Sequence, residues 1–475
     1  MINDLQKNYT SSKLFDYCII GSGPAGISLA LKLAKKKKSI FLAEAGDIDW
    51  SRASTECYQG ETIGDDYFAL DTSRLRMFGG TSGHWTGMCR TLDKEDFNYS
   101  NSKWPIGKKD LDPFLDEACE ILEIDSEFND QVISRDYGIK SIDFHFSPPV
   151  RFGKKYFEQI QRSKFIHLSL NTNLVNMLFN EENINTAEFK SYNGNHLGVR
   201  ARCFILACGG IENSRLLKWI NYSNNKKLIN SKSPLGNYWM EHPHYKVGQA
   251  VVDRRWSDRY INISASKRME LGILNAGIRF EHLGDTQADA VIKDLMCVAP
   301  NLGKNIAKLF DKNLVCAGTL RAAWEQEPIF NNRVELSKNK KDIFGIPKSK
   351  LFWKKTDNDF KTLQITMRHI NKWIMNTNLG RLKLDKWLLD KEDYPALDEL
   401  GGKGYHHIGG YHHMGGTRMG TNPERGVVDK NLKLFGKSNL FICGSSVFPS
   451  AGHANPTLTL TQLSLRLASF LARKY

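Results

Sequence analysis

The sequence predicts the α/β class: a parallel sheet wound with helices, interlaced with an α+β portion that carries an antiparallel sheet. Three observations predict it. The apolar run Tyr17-Cys18-Ile19-Ile20 stops at a glycine and leads into a helix-like stretch and a second apolar run. A comparable strand, Cys203–Ala207, runs into Gly209-Gly210 far downstream. Between residues 240 and 400 the texture changes to short alternating stretches.

Residues 17–20 form a continuous apolar run, which suits a parallel strand buried on both faces. Gly21, Gly23 and Gly26 follow as GxGxxG. The stretch ISLALKLAKKKK then reads as a helix with Ile27, Ala30, Leu31 and Ala34 on its apolar face. Its lysines crowd the C-terminal turn, where the helix dipole favours them. Residues 39–43 make a second strand, ending at Glu44. Each part has a job in holding a dinucleotide. Gly21 permits the tight turn, Gly23 lets the backbone approach a pyrophosphate, and Gly26 lets helix and strand pack closely. The helix N-terminus offers N–H groups to phosphate, and an acid at Glu44 can accept from ribose hydroxyls. At this point NAD and FAD remain equal readings.

Residues 76–90, RMFGGTSGHWTGMCR, form a glycine-rich loop. Gly79, Gly80, Ser82 and Gly83 would let the backbone approach a flat ligand, and His84-Trp85 is an unusual pair in such a loop. Residues 203–217 read as a later strand of the same sheet with a helix opening near Glu212, so the nucleotide-binding part is assembled from distant segments. IHLSLNTNLVNMLF alternates and suits a strand. YKVGQAVV, GIRFEH, NRVELS and SKLFWKK suggest an antiparallel sheet. DNDFKTLQITMRHINKWIM reads as an amphipathic helix started by an Asp/Asn cap.

The chain has 475 residues and a formal net charge of +14. That charge is compatible with an anionic substrate. It sits largely in short lysine runs such as Lys35–Lys38 and Lys338–Lys341, with no nucleic-acid-binding motif beside them, so a nucleic-acid partner is not expected. No apolar run is long enough for a transmembrane helix. The first residues lack a signal-peptide core, so the expected location is cytoplasmic. The nine cysteines contain no CxxC pair, which favours neither a zinc site nor a disulfide framework. Four histidines recur in GYHHIG and GYHHMG, residues 404–415. Adjacent pairs without an i,i+4 partner or nearby acid do not make a metal motif, so no metal is expected and His406 and His407 are read as structural.

Several blocks together resemble the glucose–methanol–choline (GMC) oxidoreductases. They are GSGPAG with Glu44; FGGTSGHWTG; SPPVRFG and GGIENSRLL; GNYWMEHPH; EQEPIFNNRVELS with FGIPKSKLFW; and HHMGGTRMG, GVVD, NLFICGSSVFP and HANPTLT. They span residues 17–470, and their character is that of the branch with pyranose oxidase, fructose dehydrogenase and bacterial sugar or aminosugar dehydrogenases. The resemblance implies a Rossmann-like FAD-binding domain, with a first part over 1–240 and a C-terminal part over 401–475, and a substrate-binding domain over 241–400. It resolves the cofactor to FAD, with Gly21, Gly23, Gly26, Glu44, Gly79, Gly80, Ser82, His84, Gly209, Gly444 and Ser445 as contacts. FAD attached covalently through His84 is part of the same resemblance. The family's catalytic histidine stands three residues before its GTCRMG block, so His412 takes that place, with His413 as competitor. Asn455 in the Asn-Pro-Thr block is the partner. Two departures stand out: Gly444 replaces a frequent acid, and GGTRMG replaces GTCRMG.

The implied reaction oxidises a CH–OH group of a sugar, aminosugar or related alcohol. A neutral imidazole takes the O–H proton, an amide orients the oxygen, and hydride goes to flavin N5. The expected partners are the small-molecule alcohol and an electron acceptor: oxygen, a quinone or a redox protein. A flavin-containing lyase of the same fold is the alternative from another class, and a nicotinamide-dependent dehydrogenase rests on GxGxxG alone. Trp324, Glu325 and Gln326 are expected to line the substrate pocket.

Overall fold

The apolar run that ends at Gly21 becomes the strand Leu14–Ile20, at the middle of a sheet rather than its edge. Its last four residues are all buried, as a strand covered on both faces requires. The computed structural model describes residues 2–7, 12–98, 102–148, 150–252, 259–282, 317–390, 393–395 and 409–474. The expected positions of His406 and His407 lie outside these residues.

The first sheet has eight strands. Strand Leu14–Ile20 pairs in parallel with Ile40–Ala43 on one side and with His196–Leu206 on the other. Ile166–Leu170 and Ile2–Asp4 continue the parallel order outward from Ile40–Ala43. Ile184–Lys190 and Asn173–Phe179 extend the other edge antiparallel. The short strand Leu440–Ile442 adds in parallel to Phe204–Leu206. The sheet therefore takes strands from both ends of the chain. The stretch 166–179, expected as one strand, is two. Asn171 takes a left-handed φ of 53° and breaks the run between a strand that pairs in parallel and one that pairs antiparallel.

Helices Pro24–Lys35 and Pro456–Lys474 pack on one another beside this sheet. Tyr17, buried in the strand, donates its hydroxyl to the Leu471 carbonyl at 3.1 Å and ties the two chain ends together. The expected close packing at Gly26 is present, since a Cβ there would lie 1.9 Å from the Gly21 carbonyl oxygen.

A second, seven-stranded sheet runs Gly380–Leu384, His244–Val252, Ala317–Trp324, Ala276–His282, Tyr260–Ile263, Ile139–Ile142 and Gln131–Ser134. Among the described residues its strands pair antiparallel throughout. Two of its strands come from before residue 240, within the stretch expected to belong to the first part. NRVELS and SKLFWKK do not join it. They form Arg333–Lys341 and Pro347–Trp353, a separate pair to which Gly60–Gly64 adds in parallel. Helix Asp357–Asn376 covers the second core with Leu363, Met367, Ile370 and Trp373. Its cap is Thr356 rather than Asp or Asn. The Thr356 side chain accepts from Asp359 N, and Asp359 reciprocates to Thr356 N, so the preceding residue satisfies two end groups at once.

No helix among the described residues is long and apolar enough to cross a membrane. The seven described cysteines are free, and six are buried.

Candidate active site

A cavity of about 630 Å³ lies between the two sheets. One side is built from backbone. Gly21 turns the chain with φ 102°, and a Cβ there would stand 2.5 Å from the Ala207 carbonyl. Gly23 opens helix Pro24–Lys35, and nothing lies within 4 Å of the position its Cβ would take. The same open space stands beside Gly209 and Gly444. A helix N-terminus facing an unfilled glycine cradle suits a phosphate-bearing cofactor.

Gly21, Gly23, Glu44, Gly80, Ser82, His84, Gly209, Gly444, Ser445, His412, His413 and Asn455 all border the cavity. Gly26 and Gly79 do not. Gly26 closes on Gly21, and Gly79 lies against the Gly153 backbone, where a Cβ would come within 2.2 Å. Trp324, Glu325 and Gln326 also stand away from the cavity wall. Glu325 sits deeper and accepts from Gly452 N, while Gln326 binds Glu241 N and Trp353. Alternation along the strand turns Ala323 to the cavity and Trp324 to the core.

Glu44 is held by three donors: Ser22 N at 3.1 Å, Ser22 Oγ at 2.5 Å and Gly46 N at 2.8 Å. This fixes its carboxylate at the end of strand Ile40–Ala43: Oε2 takes both Ser22 donors, while Oε1, with Gly46 N alone, keeps a further acceptor direction. The Ser82 hydroxyl is engaged inside its own loop, donating to Gly79 O and accepting from Phe152 N. Arg151 spans the loop by donating to the Ser82 and Trp85 carbonyls. His84 is thereby exposed to the cavity, its ring parallel to Tyr411 at 6.2 Å. Burial and the nearby Arg151 hold its pKa below the ordinary histidine value.

The other side carries the histidines. His412 and His413 follow one another and face different partners. His412 Nδ1 lies 2.9 Å from His242 Nδ1, and its backbone N–H donates to Glu241. His413 Nε2 lies 3.0 Å from the Tyr67 hydroxyl, which donates to the other Glu241 oxygen at 2.5 Å. Glu241 thus sits under both histidines, and burial pushes its pKa up to about 7. His244 adds a third ring, 5.8 Å from His412.

The pair of Nδ1 atoms needs one donor and one acceptor. Burial lowers the His242 pKa to about 4, while the carbonyls of Gly452 and Ala451 favour a proton on its ring. His242 Nε2 is buried without a hydrogen bond among the described residues, so either ring can supply the hydrogen between the two Nδ1 atoms. In the tautomer in which His412 donates from Nδ1, its Nε2 lone pair is available. Burial holds His412 well below the ordinary value, and the neighbouring histidines add to this. His413 is lowered to about 3 by burial and by Arg74. Asn455 is half-buried at the start of helix Pro456–Lys474, and its amide has no hydrogen bond among the described residues.

Two residues before Asn455, His453 is 2 % exposed with neither ring nitrogen paired among the described residues. Its donors and those of Asp93 and Asp96 lie within 4.8 Å of one another. Arg90 pairs with Asp93 at 3.0 Å, and Arg268 adds a second cation, so the acids already have counter-charge.

Sequence reasoning passed over Tyr67, Glu241, His242, His244 and His453. Four of these lie in blocks it singled out, GNYWMEHPH and HANPTLT, so a signal existed. Tyr67 stands in an unremarkable stretch and reaches His413 through the fold alone.

Residues 328–464 match the family model described as GMC oxidoreductase. This C-terminal stretch is similar to the GMC oxidoreductases. Relatives of the chain include the fructose dehydrogenase large subunit of Gluconobacter japonicus, 24% identical over 57% of this chain and 47% of that protein, so the match spans about half of the relative. A 2-methyl-1,2-propanediol dehydrogenase of Mycolicibacterium austroafricanum is 21% identical over 98% of this chain and 96% of that one. Among solved structures, pyridoxine 4-oxidase from Mesorbium loti superposes with TM-score 0.60 at 15% identity, covering 97% of this chain and all of the other. An Aspergillus oryzae RIB40 formate oxidase superposes with TM-score 0.56 at 15% identity, over 98% and 99%. The chain's α/β class with an interlaced antiparallel sheet is the fold of those structures.

Proposed function

We propose that this enzyme binds FAD along the glycine side of the cavity and oxidises a CH–OH group of a sugar, aminosugar or related alcohol at the histidine side. The observation that carries this reading is the neutral imidazole of His412, whose Nδ1 is engaged by His242. Gly23 and the helix behind it face the pyrophosphate, Glu44 the ribose, and Gly80, Gly209, Gly444 and Ser445 the remainder of the cofactor. Bound FAD supplies the acceptor for the hydride that leaves the substrate carbon.

The protein's own residues do the rest. His412 Nε2 takes the hydroxyl proton. Asn455 donates its amide to the same oxygen and holds the C–H bond toward the cofactor. His242 keeps His412 in the tautomer that can accept. His413 is the competing base, and Tyr67 holds its ring. His84 is the residue that would hold the cofactor covalently, and a neutral imidazole exposed to the cavity has the lone pair such a bond would need.

Anaerobic mixing of the yellow holoenzyme with a panel of sugars, aminosugars and aliphatic alcohols tests the reaction. Bleaching of the flavin absorbance by a member of the panel is the expected result, and no bleaching by any of them defeats it. Peroxide formed in air, against reduction of a quinone or redox protein, then assigns the electron acceptor. The covalent link predicts a denatured protein heavier by the mass of FAD; yellow colour released wholly into acid supernatant removes it.

A further inference from the structure

Glu241, under both histidines, is fully buried and makes no ion pair among the described residues. A lone carboxylate in that position is costly to desolvate, so a proton on it is favoured. Its neighbours decide where the proton sits. Oε1 accepts from two backbone groups, His242 N at 2.8 Å and His412 N at 2.7 Å, which fills both of its lone-pair directions. Oε2 has the Tyr67 hydroxyl as its side-chain partner, at 2.5 Å. The hydrogen of a neutral Glu241 therefore lies on Oε2 and points at Tyr67.

Tyr67 transmits this state to His413. The phenol has one hydrogen, and its other partner is His413 Nε2 at 3.0 Å. With Glu241 ionised, Tyr67 donates to it and accepts from Nε2–H, which leaves a lone pair on His413 Nδ1. With Glu241 neutral, Tyr67 accepts from it and donates to Nε2, which puts the ring hydrogen on Nδ1. The two states differ by one proton. It is taken up at Nδ1, while the Nε2 hydrogen passes to the Tyr67 oxygen and the Tyr67 hydrogen to Glu241 Oε2. His413 Nδ1 has no hydrogen bond among the described residues and is not sealed in, and the ring borders the cavity, so Nδ1 is the nitrogen the cavity meets. The titratable and charged groups facing this chain are His242 and His412 at Glu241, Tyr411 at Glu241 and Tyr67, Arg74 at Tyr67 and His413, and His84 at His413. Arg74 is paired with Glu212 at 3.4 Å, and its charge opposes a second proton on His413, so that ring stays neutral in both states.

We propose that Tyr67 and Glu241 are positioning residues that make His413 a hydrogen-bond donor toward the cavity, where its Nδ1–H holds the substrate oxygen beside the Asn455 amide while the hydroxyl proton goes to His412. The inference rests on the reading that the cavity oxidises an alcohol, and it takes His413 out of competition as the base while Glu241 is neutral. A fixed donor aimed at an oxygen that gains negative charge stabilises the transition state more than the bound substrate. Once Glu241 ionises, a lone pair on Nδ1 faces that oxygen instead, and the rate falls. Burial places this change at about pH 7.

The test follows the rate of anaerobic flavin reduction in the holoenzyme from about pH 6 to about pH 9, with a panel member that bleaches the flavin. The parent is expected to slow by about tenfold or more across that range, a conservative share of what one oxyanion donor contributes. Tyr67→Phe and Glu241→Leu lose about as much at the acid end, with flavin content unchanged, and show no further fall. Glu241→Gln rescues the loss. Its carbonyl keeps both backbone bonds and its amide donates to Tyr67, so the neutral pattern is locked in, the fall disappears, and at the alkaline end it outpaces the parent by about tenfold. A flat profile in the parent, or a fall near pH 7 that persists in Glu241→Gln or in Tyr67→Phe, overturns the inference while leaving the oxidoreductase reading in place. Should Glu241→Gln fail to fold, Tyr67→Phe decides by the same criterion. If no panel member bleaches the flavin, an infrared titration of the holoenzyme decides. A neutral carboxyl stretch that vanishes as pH rises through about 7 and shifts in Tyr67→Phe keeps the proton on Oε2 against Tyr67. A spectrum in which Tyr67→Phe moves no carboxyl band removes it.

Discussion

The two sides of the cavity are made differently. On the cofactor side the surface is mostly main chain: glycines, a helix N-terminus and a clamped carboxylate, with nearly all of the local geometry drawn from residues 21–46, 79–84, 209–210 and 444–445. On the substrate side the surface is side chain. Its histidines, arginines and amide come from strands and loops distant in sequence and meet through the sheet. The contrast teaches that the first side tolerates little change in shape: a methyl group meets backbone at Gly21 and Gly26 and intrudes on the cavity at Gly23. The second tolerates change in shape but not in chemistry.

The largest test of this contrast is on the substrate side. His412→Ala is expected to slow flavin reduction by about 10²–10⁴-fold, the usual worth of a positioned base, with flavin content unchanged. Stopped-flow absorbance reads the rate and a spectrum of the purified protein reads the content. An unchanged rate moves the base to His413, for which His413→Ala is the matching experiment. His242→Ala is expected to reproduce part of the His412 loss through the tautomer, and it should also shift the acid limb of the pH–rate profile. A purely structural role would leave that limb in place.

On the cofactor side two glycines give opposite outcomes. Gly26→Ala must push a methyl into the Gly21 carbonyl and is expected to cost about 1–3 kcal/mol of stability, read as a lower Tm of the apoprotein. Gly23→Ala meets no protein atom within 4 Å. It should leave the apoprotein Tm nearly unchanged while lowering flavin retention after gel filtration. Equal retention in Gly23→Ala and the parent protein would break the assignment of that space to the cofactor.

A smaller effect concerns both sides together. Burial raises the pKa of Glu241 to about 7, of Asp359 to about 7 and of Glu325 to about 6. Each carboxyl is held protonated more firmly in the fold than in the unfolded chain. Their contribution is complete below the unfolded carboxyl range and is lost as pH rises through about 6 to 7. The histidines run the other way. His242, His413 and His453 are lowered to between about 3 and about 4. The stability of keeping them neutral is complete above the unfolded histidine value and is lost as pH falls below it. A Tm maximum between about pH 6 and 7 follows, with declines on both flanks. A Tm that rises steadily from pH 6 to 8 contradicts the carboxyl half of this argument. The smallest effect is local: Thr356→Ala removes half of a capping box and should lower stability by about 1 kcal/mol, without altering flavin content or rate.

Much of this was legible before the fold. The strand ending at Gly21, its helix, the strand before Glu44 and the later strand before Gly209 can all be read in order because each is local. A run of apolar residues, a turn glycine and a helical period leave their mark within about thirty residues. His412, His413 and Asn455 were legible as a pair of blocks. Tyr67 was not, because no neighbouring residue hints at what it touches. Trp324 was misplaced for a related reason: the choice between Ala323 and Trp324 as cavity wall depends on which face of the strand the sheet buries, and a one-residue shift exchanges the two.

The sequence by itself determined the fold class and the glycine turn that opens helix Pro24–Lys35, since backbone geometry and residue type are local properties. The tertiary structure alone decided which nitrogen of His412 is available and which side chains stand opposite one another across the cavity. It also set how far burial shifts each titrating group. These follow from contacts between residues far apart in the chain, and from a desolvation that exists only when the two sheets close around the cavity.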